Sequence, residues 1–185
     1  MDGSVKAKSI PPVNKRLCRG AAALAGVTAI AFIAGNAVMW LVPEWTEMVA
    51  RDASNMQTQQ VYITPIVRWV GLGVTTLYLG VLAWGLLSMR TLFQRLATED
   101  VFVAETGVLL RRFGKALLAY AALTPIVRSV MALLITHNPV AHEALLSFGI
   151  DDYEIIVALI GVLILAFGSV MADATRIADE SREII

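Results

Sequence analysis

The sequence predicts an all-α, polytopic membrane protein: four transmembrane helices with both termini in the cytoplasm. Three observations predict it. Four apolar stretches, about 20–42, 66–89, 116–135 and 155–171, each approach the ~20 residues that carry an α-helix across ~30 Å of hydrocarbon. The 185 residues are 57% hydrophobic and 16% charged, against the ~25% charged residues of an ordinary soluble domain. The basic residues also segregate. Lys6, Lys8, Lys15, Arg16 and Arg19 precede the first stretch, Arg90, Arg95, Arg111, Arg112 and Lys115 separate the second from the third, and Arg176 and Arg182 follow the fourth. The opposite connections carry Arg51 alone. Lys and Arg near short loops mark the cytoplasmic side, and four crossings return the chain to the side where it began. Length leaves room for one unit, so residues 1–185 form a single membrane domain with a structured cytoplasmic loop over 90–115.

Each element has its own justification. Pro11-Pro12 breaks any helix in the polar N-terminus. The first apolar run exceeds the ~7–15 residues of a cleavable signal, so it reads as a retained span. Cys18, the single cysteine, reads as an inert thiol at the membrane boundary. Ala21, Ala25 and Ala29, with Ala22 and Gly26, place small residues four apart for close helix packing. Trp40, Trp45, Trp69 and Tyr153 form the expected outer aromatic belt. Pro43, Glu44 and Glu47 open a short amphipathic helix through Trp45, Met48, Val49 and Met56. Pro65 starts the second span, whose Gly71, Gly73, Gly80 and Gly85 predict a central position in a four-helix bundle. Leu92, Phe93 and Leu96 continue that helix past the lipid, and Thr98-Glu99-Asp100 breaks it. From about Ala104 one helix runs through Leu109, Leu110 and Phe113 to Ile135, ~48 Å at ~1.5 Å per residue. Pro125 predicts a kink within it. The acids Asp151, Asp152 and Glu154 suit the positive end of the fourth helix, which runs on into a charged stub.

Two stretches resemble a bacterial membrane family catalogued as domain of unknown function 2975. One is Leu96, Asp100-Val101-Phe102, Glu105 and Leu110-Arg111-Arg112-Phe113-Gly114; the other is the polar, acid-rich terminus Ala172 to Ile185. The family's glycine near the end of the fourth helix is replaced here by Ala174 and Thr175. The resemblance implies a four-helix protein of the bacterial cytoplasmic membrane with no assigned biochemical activity. Some relatives are encoded beside small helix-turn-helix regulators, so the resemblance also implies a regulatory role, with such a regulator as a cytoplasmic partner.

Polar residues inside spans are the candidate functional positions. Arg128 lies seven residues before Ile135, so ~10 Å below the outer boundary on a regular helix. Asn36 and Arg68 fall in the same leaflet on the first and second spans. Together Asn36, Arg68 and Arg128 could line a crevice for an anion or a lipid headgroup. The competing reading is that Arg128 pairs with Asp151, Asp152 or Glu154 and fixes packing. Thr64-Pro65-Ile66-Val67-Arg68 recurs as Thr124-Pro125-Ile126-Val127-Arg128, but the flanks do not align and coincidence explains it. His137, His142 and Glu143 lack the spacing of a zinc helix and read as solvated loop residues.

No catalytic, cofactor or metal site is predicted, and no carboxylate or histidine lies within a span. The expectation is a non-enzymatic membrane protein with a regulatory or partner-binding role. Its partners are the lipid bilayer and a cytoplasmic protein, with no direct nucleic-acid contact; a homo-oligomer is compatible. The alternative is a small transporter or channel subunit, which needs a polar path through both leaflets.

Overall fold

The computed structural model describes residues 15–46, 64–98, 103–135 and 151–182. Four α-helices account for almost all of them: α1 Lys15–Leu41, α2 Pro65–Thr98, α3 Val103–Ile135 and α4 Asp152–Arg182. No strand occurs among the described residues. Three helices are long and apolar enough to cross a membrane: α1, α2 and the Asp152–Ala174 part of α4. They mark a multi-pass membrane protein. α3 is as long, at 33 residues, but interrupts its apolar sequence with Arg111, Arg112, Lys115 and Arg128.

The helix ends fall where the local chemistry places them. α2 starts at Pro65, whose missing N–H would have no helical partner there. α3 begins at Val103 and stays helical through Pro125. α4 is capped by Asp151 and Glu154 in reciprocal fashion: the Glu154 amide donates to the Asp151 carbonyl at 2.9 Å, and the Asp151 amide to Glu154 Oε2 at 3.3 Å. A further helical turn, 43–46, follows α1 and is tied back by Thr46 Oγ1 to the Met39 carbonyl at 2.6 Å. The rest of the expected amphipathic helix, and His137, His142 and Glu143, lie outside the described residues.

Packing follows chain order: α1 on α2, α2 on α3, α3 on α4. Each pair is antiparallel. Trp40 of α1 meets Gly71 near the start of α2, while Gly26 meets Arg90. Gly85 meets Ala116, and Arg95 pairs with Glu105. Gly114 meets Leu165, and Arg128 reaches Asp151. No comparable packing closes α1 against α4 among the described residues. The expected bundle is therefore an open row, with α2 and α3 both central.

Burial reverses along the row. Apart from Trp40, the buried positions through the spans are mostly small or polar, such as Ala22, Ala25, Ala29, Asn36, Ala83 and Ala116. Large aliphatics there point outward, Leu77 with 77% of its surface exposed and Leu24 with 69%. Lipid is as apolar as leucine, so close backbone approach rather than aliphatic burial drives packing there. Toward the α2–α3 connection the pattern becomes that of a water-soluble hairpin. Met89, Leu92 and Leu109 are buried together, flanked by Phe93, Leu96, Leu110 and Phe113, and the Arg95–Glu105 pair lies on the outside. The second and third helices continue through these residues, as their sequence predicts.

The closest approach is between α3 and α4. A Cβ at Gly107 would lie 2.9 Å from the Gly168 carbonyl oxygen, and one at Gly114 2.8 Å from the Leu165 nitrogen. Gly161 and Gly168 face them, so two glycines seven residues apart on each helix form the seam. The sequence reading located small-residue packing on α1 and α2 and missed this stronger case. On α2 the glycines divide: Gly71 and Gly85 receive neighbours, while Gly73 and Gly80 face open space.

Candidate functional site

Within the spans, interhelical polar contacts gather at one height, in the half of the row nearer the start of α2 and α4. Asn36 Nδ2 donates to Thr76 Oγ1 at 2.9 Å, and Trp40 Nε1 to Thr75 Oγ1 at 2.9 Å, joining α1 to α2. Thr75 passes its own proton to the Gly71 carbonyl at 2.8 Å. Between α2 and α3, Tyr78 stacks on Tyr120 with ring centroids 4.5 Å apart. Thr124 donates to the Tyr120 carbonyl, so the Tyr78 hydroxyl is the donor in its 2.8 Å contact with Thr124 Oγ1. Between α3 and α4, Arg128 Nη1 donates to Asp151 Oδ2 at 2.7 Å and Nη2 to Glu154 Oε1 at 3.0 Å.

The candidate residues therefore fall into separate contact sets. Asn36 is engaged with α2, and Arg128 bridges to α4 in the pairing weighed against a ligand role. Arg68 keeps a buried Nε with no hydrogen-bond partner among the described residues. No contact among them joins the three into one crevice.

Glu154 carries two tasks. One oxygen receives Arg128 and the other receives the Asp151 amide, and only 3% of its side chain is exposed. Arg128 and Asp151 are about half exposed. The Asp-x-x-Glu spacing was a legible capping signal, but its burial follows from the α3–α4 seam and was not.

Trp40 also differs from expectation. It is buried to 1% exposure, with its indole pressed on Gly71 and its N–H given to Thr75, so it is a packing residue and not part of a lipid-facing belt. Trp45, Trp69 and Tyr153 are exposed, as belt residues would be. A Cβ at residue 71 would overlap the Trp40 indole, so the buried ring would have to shift. Gly71→Leu should destabilise the protein by about 2–3 kcal/mol, the upper part of the range for overpacking. Denaturant titration in micelles, followed by tryptophan fluorescence, checks this; an unchanged midpoint would show that the indole is free to leave.

Apart from Arg68 Nε, the groups in this layer satisfy one another. Their chemistry holds helices at fixed heights, and nucleophile–base geometry is absent among the described contacts. Comparison with protein-family models, curated proteins and solved structures finds no match for this chain.

Proposed function

We propose that this chain is a four-span protein of the bacterial cytoplasmic membrane with a regulatory, partner-binding role and no enzymatic one. The observation that carries the partner role is the α2–α3 hairpin, which changes toward its tip to an aliphatic core with charged residues outside. A membrane anchor alone does not need such a projection. The charged stub at the end of α4 lies beside it, since α3 and α4 are antiparallel and Gly107 meets Ala172. The partner proposed is a cytoplasmic protein; the resemblance to domain of unknown function 2975 suggests a small helix-turn-helix regulator.

Four crossings are favoured because α3 packs between α2 and α4, both of which are span-forming. A helix flanked along its length by two spans shares their environment. The basic residues sit at the ends near Lys15, Thr98 and Val103, which supports a cytoplasmic assignment for those ends. With Cys18→Ala as background, Ser54→Cys and Ser147→Cys should react with an impermeant reagent in intact cells, and Thr98→Cys should not. Labelling at Thr98→Cys alone inverts the topology.

A transporter or channel would need polar groups throughout the crossing. Among the described residues the interhelical side-chain hydrogen bonds of the spans occupy one half of the row, and in the other the glycine seams are closed by backbone and by the stems of Arg90 and Arg111. Truncation after Ala178 tests the partner role, because it spares every span. Normal membrane insertion with loss of a protein that co-purifies with the full chain is the expected result. Unchanged co-purification removes the α4 stub from the docking surface.

A further inference from the structure

The antiparallel contacts fix how high each helix stands beside its neighbour. Trp40 on Gly71 and Arg90 across Gly26 place Leu41 near the level of Gly73. Gly85 against Ala116 and Tyr78 against Thr124 align α2 with α3, and Gly114 against Leu165 aligns α3 with α4. On this register α1 and α4 both end near the level of Arg128, while α2 and α3 run roughly eight residues, ~12 Å, further. At the basic end the offset has the opposite consequence. Arg90, Arg111, Arg112 and Lys115 stand beside stretches where the flanking helices still expose Leu24 and Val27 of α1 and Phe167 and Val170 of α4. A tilt of the row cannot produce this, because both flanking helices drop together. The cations of the central pair are recessed.

Two of them are held at that height. The Arg90 stem crosses Gly26, with Cδ 3.1 Å from where a Cβ would stand, and Arg111 Cγ lies 2.9 Å from the equivalent point at Gly168. Arg112 and Lys115 are exposed on α3, and the exposed Trp84 is level with them through the Gly85–Ala116 contact. Arg95, further out, is closed onto Glu105. Among the described residues none of the four recessed cations has a carboxylate partner.

We propose that Arg90, Arg111, Arg112 and Lys115, with Trp84 beside them, form a recessed site for anionic phospholipid headgroups. Guanidinium forks match phosphate geometry, and tryptophan favours the headgroup level. The apolar flanks make the lipid phase the open approach, which favours a lipid over an acidic peptide arriving from water. The proposal rests on the chain spanning the bilayer.

Fluorescence quenching in vesicles tests it. The full chain carrying Trp45→Phe and Trp69→Phe keeps the exposed Trp84 and the buried Trp40. Brominated phosphatidylglycerol diluted in phosphatidylcholine is compared with the reverse labelling. Roughly a five-fold preference for the anionic lipid is expected for each charge engaged. Arg112→Gln with Lys115→Gln should lower the preference, and Arg95→Gln should leave it unchanged. Equal quenching by both lipids in the parent, or a preference unaltered by the double substitution, overturns the site. Loss of the preference on adding inorganic phosphate or polyglutamate assigns the cations to a soluble anion or an acidic peptide instead. Resistance to alkaline extraction is scored on the same vesicles: extracted protein overturns the membrane reading, whereas retained protein without lipid preference overturns the headgroup site alone.

Discussion

Gly114→Val should uncouple α3 from α4 and is expected to be the most damaging single substitution in the chain. The added Cβ would stand 2.8 Å from the Leu165 nitrogen and 2.9 Å from the Gly161 carbonyl oxygen. Both are backbone atoms of a helix, so no side-chain rotation relieves the contact. The helices must move apart as bodies, and the neighbouring Gly107–Gly168 contact opens with them. Overpacking where side chains can yield costs about 1–3 kcal/mol; here the upper end, ~3 kcal/mol or more, applies. That is at least a hundred-fold in the folded-to-unfolded ratio. Gly73→Val is the matched control, because a Cβ there meets nothing within 4 Å. It should change stability by less than about 1 kcal/mol, the scale of helix propensity. Denaturant titration of both variants in the same micelles decides the matter, and equal midpoints would refute the seam.

The helices were legible in the sequence because their signals are local. Apolar runs, Pro65 at a helix start and the continuation through Leu92, Phe93 and Leu96 need only neighbours along the chain, and α2 and α3 extend as those residues predict. What failed to show depends on which faces meet. Gly107, Gly114, Gly161 and Gly168 are ordinary glycines until α3 and α4 lie together. Trp40 sits at belt depth by position along the chain, yet its azimuth turns it onto Gly71. Sequence gives depth better than direction. For Arg128 two measures of depth differ. Counted along its own helix it lies ~10 Å before Ile135, while its contacts with Asp151 and Glu154 set it level with the first turn of α4.

That position sets the energetics of the second large effect. A bare charge inside hydrocarbon would cost ~3 kcal/mol or more, but Arg128 is half exposed and paired with two carboxylates, which lowers that cost. Its bond to Asp151 joins two half-exposed groups and contributes at most about 1 kcal/mol. The bond to Glu154 is different, because that carboxylate is almost fully buried. Arg128→Leu removes its cation and leaves a buried acid with only the Asp151 amide. Breaking a fully buried pair costs about 3–5 kcal/mol; half-exposure of Arg128 reduces this to about 2–3. Asp151→Asn should therefore cost less than about 1 kcal/mol, and Arg128→Leu should exceed Arg68→Leu. Adding Glu154→Leu to Arg128→Leu removes the stranded acid and should recover a large part of the loss, since replacing both partners by apolar groups can be nearly neutral. A double-mutant cycle in micelles measures the coupling directly. If the double variant is as unstable as the sum of its parts, Arg128 and Glu154 act independently. If Asp151→Asn costs as much as Arg128→Leu, the exposed member of the pair carries the bridge. Recovery in the double variant makes Arg128 a clasp between α3 and α4, with the arginine's function exhausted by that packing.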